Sequence, residues 1–114
     1  MNLEEIREFC LSFPSVTEDI KWGNDLCFLI GGKMFAVAGL DTGQLSFKCT
    51  PERFAELTEK DGIVPAPYVA RYHWVLVEKL DAIDEDELED LVSKSYMMVW
   101  QNLPENVRKT LSKQ

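Results

Sequence analysis

One histidine, three cysteines and a run of carboxylates are the groups with the most obvious chemistry to offer in this chain. His73 is the only imidazole, so a base-assisted nucleophile would have to depend on it. That arrangement needs a Ser, Cys or Lys beside the base and a third group to orient it. No G-x-S-x-G elbow accompanies His73. A lone imidazole at the start of a strand reads as a hydrogen-bonding residue. Cys10, Cys27 and Cys49 are odd in number, and none belongs to a C-x-x-C pair, which argues against a disulfide framework or a zinc site. Each lies among apolar neighbours, where a thiol packs as a small hydrophobe. Gly31-Gly32-Lys33 lacks P-loop spacing, and its two glycines suit a hairpin turn. Between residues 78 and 90 eight acids stand against Lys79 alone. Their order lacks the alternating oxygen ligands and central glycine of a calcium loop. Acids there suit the positive end of a helix dipole. From these residues no catalytic set, cofactor or metal is expected, and the chain is read as non-enzymatic.

Recognition is the other chemistry on offer. The segment from Pro65 to Trp74 gathers Tyr68, Tyr72 and Trp74 with Arg71 and His73. Aromatic rings beside cations suit stacking on bases or on a ligand, and they suit a core equally well. Lys33 and Lys48 could add charge from neighbouring strands. Met97, Met98 and Trp100 flank the buried stripe of the last helix, which fits a helix wedged between sheet and tail, or a dimer contact.

The elements that must position these groups follow from periodicity. Asn2 and Glu5 have capping-box spacing, and Leu3, Ile6, Phe9, Cys10 and Phe13 form one helical stripe ended by Pro14. Residues 16–48 read as four strands. Val16, Glu18, Ile20 and Trp22 share one side of the first. Gly23-Asn24-Asp25, Gly31-Gly32 and 39–43 are the turns. In the fourth, Leu45 and Phe47 face one way and Gln44, Ser46 and Lys48 the other. Thr50-Pro51-Glu52 opens a helix. Residues 63–72, broken by Pro65 and Pro67, read as a loop, and His73 to Glu78 as a fifth strand. Asp84 and Glu87 again have capping-box spacing. Leu88, Leu91, Val92, Ser95, Val99 and Leu103 trace a long last helix, and the tail from Glu105 is read as only partly helical. Strands that run together rather than alternating with helices predict an α+β domain: an antiparallel sheet of about five strands packed against N-terminal, middle and C-terminal helices.

Composition agrees. A chain of 114 residues that is 46% hydrophobic and 28% charged suits one globular domain, residues 1–114. It has no apolar run of the ~18 residues a membrane span needs, and no basic start leads into an apolar stretch, so a cytoplasmic protein is expected. The formal charge is −8, of which −7 lies between residues 78 and 90.

Phe13-Pro14, Glu18, Trp22-Gly23, Phe28, Gly32-Lys33-Met34-Phe35, Leu45-Ser46-Phe47-Lys48, Pro51-Glu52, Ala66-Pro67-Tyr68, His73-Trp74 and Ser95-Tyr96 follow one another in a characteristic order and spacing. On these landmarks the chain resembles the MmcQ/YjbR family. The resemblance implies the α+β fold shared with bacterial frataxin, CyaY-like, and a DNA-binding role tied to a double-wing fold. Frataxins place their acids on the first helix and adjoining strand edge. Here the acids precede and begin the last helix, so iron binding does not carry over. If DNA is the partner, Lys33, Lys48, Arg71, His73 and Trp74 are the contact residues that charge and strand-face geometry select. The pI near 4.6 limits phosphate binding to whatever basic groups cluster on one face. The alternative partner is protein: a second copy of the chain or another polypeptide.

Overall fold

A computed structural model describes residues 1–113. Helix α1 (Leu3–Leu11) starts at the expected reciprocal cap: the Glu5 N–H donates to Asn2 Oδ1 at 2.8 Å, and the Asn2 N–H donates to the Glu5 carboxylate at 3.1 Å. A meander follows: β1 (Val16–Lys21), β2 (Asp25–Ile30), β3 (Lys33–Gly39) and β4 (Leu45–Lys48). The β2–β3 turn takes φ of 59° at Gly31 and 80° at Gly32, the left-handed pair that a two-residue hairpin requires. A Cβ on Gly31 would also lie 2.8 Å from Leu103, so the glycine lets the hairpin seat against the C-terminal region.

Helix α2 (Pro51–Leu57) is capped by Thr50, whose hydroxyl accepts from the Arg53 N–H at 3.2 Å. The stretch expected to be loop then contains a short strand, β5 (Ile63–Pro65), paired antiparallel with β6 (Trp74–Val77). The sheet therefore has six strands, in the order β1-β2-β3-β4-β6-β5. β6 offers a free edge that β5 fills, and Pro65 is tolerated because an edge strand can do without one donor. Between them Ala70–Tyr72 form a single 3-10 turn, so Arg71 lies on a turn and not on a strand. Helices α3 (Glu85–Gln101) and α4 (Glu105–Ser112) finish the chain. The tail is a regular helix, docked through Val107 and Leu111.

The helices cover one face of the sheet. Phe28, Ile30, Ala36, Ala38, Leu45, Phe47, Val75 and Val77 point into that layer and meet Ile6, Cys10, Leu88, Val92 and Tyr96. Phe35 is the extra residue of a β-bulge opposite Phe28 and Leu29, which turns it and Ala36 both inward. Ser95 of α3 secures this irregularity: its hydroxyl donates to Phe35 O at 2.6 Å and accepts from the Lys48 N–H at 3.0 Å. Phe13 stacks on Tyr96 at 4.7 Å, and the Tyr96 hydroxyl donates to Pro14 O at 2.8 Å. Trp100 packs at the core's edge, while Met97 stays 47% exposed.

Two local expectations change. Asp84 caps α3 through the Asp86 N–H, but Glu87 does not complete a capping box. Its carboxylate takes Arg53 at 2.6 Å and so joins α3 to α2. Trp22 leaves the alternation of β1, because its backbone turns left-handed (φ 51°) as the strand ends.

Candidate functional site

Among the described residues no helix covers the other face of the sheet. Met34, Val37, Ser46, Trp74 and Leu76 alternate onto it, each opposite in direction to its core-facing neighbours. Together with the turn residues Thr42 and Gln44 and the loop 66–69, they line a groove of about 690 Å³. That volume is in the range of ligand and peptide sites. The lining is mainly apolar, with Gln44, Ser46, Thr42 and Asp25 as its polar points.

Trp22 and Tyr68 bound the groove. Trp22 follows the Lys21 end of edge strand β1. Tyr68 follows the Pro65 end of edge strand β5, so the two residues leave the sheet from diagonally opposite strand ends. Trp22 is 70% exposed and Tyr68 98% exposed. Both have left-handed backbones, with φ of 51° and 69°. That conformation costs an L-residue roughly 1–2 kcal/mol. Bulky side chains there are rare. Neither ring recovers the cost by burial. Strain of this kind gathers at binding and catalytic sites.

The residues selected from the sequence do not form one surface. Lys48 and Trp74 are register partners between β4 and β6 and share the open face. Lys33 pairs with Ile30, a core residue, so it belongs to the helix-covered side at the tip of the β2–β3 hairpin. His73 (φ 65°) packs edge-on to Phe54 of α2 at 5.7 Å, and its carbonyl accepts the Cys49 N–H. The Arg71 guanidinium lies 4.8 Å over the Tyr72 ring on the 3-10 turn. Trp22, Met34, Val37 and Gln44 were missed. The signal for Trp22 was a large aromatic directly before the glycine of a turn.

The open face is electrically balanced: Asp19, Lys21, Asp25 and Lys48 put two acids and two lysines on it. All three thiols are buried and unpaired. Burial pushes Cys10 up to about 12 and Cys49 up to about 11, and it raises Cys27 as well. These are protonated, poorly nucleophilic sulfurs. Among the described residues no three His, Cys, Asp or Glu are arranged to hold a metal ion, and no helix is long and apolar enough to cross a membrane.

A YjbR family model matches residues 11–98. The chain belongs to the YjbR family. Solved structures similar to this YjbR domain include a Deinococcus radiodurans protein with a DUF419 domain. It is 25% identical with a TM-score of 0.86, over 97% of this chain and 88% of that one. A Pseudomonas syringae protein is 21% identical with a TM-score of 0.70, over 86% of this chain and 98% of that one, and shows the shared fold alone. Among curated proteins none matches the chain. The six-stranded open sheet with helices on one face is thus an architecture this YjbR domain has in common with its structural neighbours.

Proposed function

We propose that this YjbR domain is a non-enzymatic binding module whose working surface is the open face of the sheet, and that its partner is a protein segment presenting apolar or aromatic side chains. The observation that carries this reading is the pair of strained, exposed rings, Trp22 and Tyr68, held at two corners of an apolar groove. Aromatic side chains dominate the energetics of protein interfaces because they present large area at small entropic cost. The charges on this face cancel, which favours an uncharged segment over a polyanion.

DNA is the second reading, favoured by Lys48 beside Trp74 and by Arg71 over Tyr72. In that form it means a single strand, with bases stacked on Trp22, Tyr68 and Trp74 and few phosphates neutralised. Stacking of this kind is worth about 1–3 kcal/mol per base.

Selection from a phage-displayed random peptide library tests the first reading. The wild-type domain should enrich peptides rich in aromatic and aliphatic residues. A Trp22→Ala, Tyr68→Ala double variant should lose that enrichment while keeping the wild-type melting temperature, since both rings are exposed. Enrichment unchanged in the variant, or absent in the wild type, overturns the proposal. Fluorescence titration with oligothymidylate and with a duplex supplies the other arm. Binding of the single strand that falls steeply between ~50 and ~200 mM salt would move the assignment to nucleic acid.

A further inference from the structure

A shallow, open cleft, far from the open face in the chain, lies between the end of α3 and the polar side of α4. It measures about 480 Å³ and is lined by Trp100, Glu105, Arg108, Lys109, Ser112 and Lys113. Three cations face one acid here, in a chain whose net charge is −8. The local sign is the reverse of the whole. The topology creates this corner: α4 folds back on the core through Val107 and Leu111, which brings its basic side against Trp100.

Arg108 is the informative member. Its Nε is shut off from solvent and has no hydrogen-bond acceptor, the one buried side-chain nitrogen or oxygen among the described residues in that condition. Buried polar groups are nearly always paired, and this one has no partner on the protein itself. Its guanidinium makes no ion pair among the described residues, nor does the ammonium of Lys113. Lys109 holds Glu105 at 3.2 Å, but both side chains are largely exposed and such pairs open at little cost. Lys109, Ser112 and Lys113 lie in or just past the last turn of α4, whose carbonyl end opposes an anion, an effect that salt screens.

We propose that this cleft binds a phosphate-bearing anion, its oxygens taken by Arg108 and Lys113 and its organic part lying along Trp100. A guanidinium with free donors matches phosphate oxygens in geometry, and an ammonium adds a point charge. A half-buried indole gives a flat apolar wall on which a planar ring can lie.

Two-dimensional amide NMR of the full chain tests this with inorganic phosphate and adenosine monophosphate as probes, at constant ionic strength set by sodium chloride. Both probes should shift amides of residues 100–113 and the Trp100 indole, with affinity of about millimolar order or better. Arg108→Gln should weaken binding by about tenfold or more, the worth of one charge-assisted hydrogen bond. Lys113→Gln, at a helix end where the fold is not at stake, should weaken it as well. Tighter binding of the nucleotide identifies Trp100 as a stacking wall, and equal binding limits the site to phosphate oxygens. Shifts matched by chloride alone, or unaltered in both variants, overturn the proposal.

Discussion

At the residue scale, one hydroxyl supports an irregularity that the fold depends on. Phe35 is the extra residue of the β-bulge in β3, and Lys48 is the last residue of β4. Ser95 serves both from α3. It is fully buried, the only polar residue in that state among the described residues. A buried donor or acceptor left without a partner costs about 1–3 kcal/mol. Ser95→Ala should therefore lower stability by about 1–3 kcal/mol in urea unfolding with an unchanged m-value. Ser95→Cys, which restores only a weak donor, should fall between the two. A loss well below ~0.5 kcal/mol for the alanine variant would show that water takes over both bonds.

At the scale of elements, the acid-rich start of α3 has a structural use. Glu87 takes Arg53 of α2 at 2.6 Å, with Lys60 at 3.8 Å, while Arg53 also holds Glu56 at 3.0 Å. The hydrogen bond to Glu87 is the largest influence raising Arg53 above its ordinary range. α2 is only seven residues long, too short to be stable on its own, so this contact helps fix it beside the sheet. Both side chains are about one third exposed, which limits the expected contribution. Glu87→Gln should cost roughly 0.2–1 kcal/mol at low salt. The deficit should shrink in concentrated sodium chloride, as screening already weakens the wild-type pair. A salt-independent deficit would mean that the glutamate acts by packing and not by charge.

At the scale of the whole molecule, pH dependence separates an acid limb from an alkaline one. The hydrogen bond from Arg7 holds Glu18 below its usual range, joining α1 to β1. The unfolded carboxylate binds a proton more readily than the folded one. This contribution is thus fully present above the unfolded value and is lost as pH falls through the folded one. The thiols behave oppositely. With Cys10 at about 12 and Cys49 at about 11, the folded state keeps its protons longer than the unfolded chain does. That stabilisation is complete below the ordinary thiol range and fades as pH rises through it toward the folded values. At pH 8 a disulfide reagent should label native protein slowly and count all three thiols only after denaturation. Rapid native labelling would place a cysteine at the surface.

What the sequence determined by itself is what local chemistry and spacing control. The Asn2–Glu5 box, the Thr50 cap, the Gly31-Gly32 turn and the sides of Leu45, Phe47, Ser46 and Lys48 each depend on neighbours within a few residues, and each was legible. The family landmarks were legible for the same reason, being short patterns in a fixed order. β5 was not, since three residues around a proline become a strand only when β6 presents a free edge. Nor was Glu87, whose partner Arg53 lies 34 positions away, or the regular winding of α4, which depends on docking Val107 and Leu111. The candidate sites belong to this second group. Lys33, Lys48, Arg71, His73 and Trp74 look alike as charged and aromatic letters. Register, bulge and left-handed turns send them to different sides, while the same backbone geometry brings Trp22 and Tyr68 to one groove. The side on which a residue ends depends on strand pairing and backbone hand summed over the whole sheet, and only the tertiary structure carries that sum.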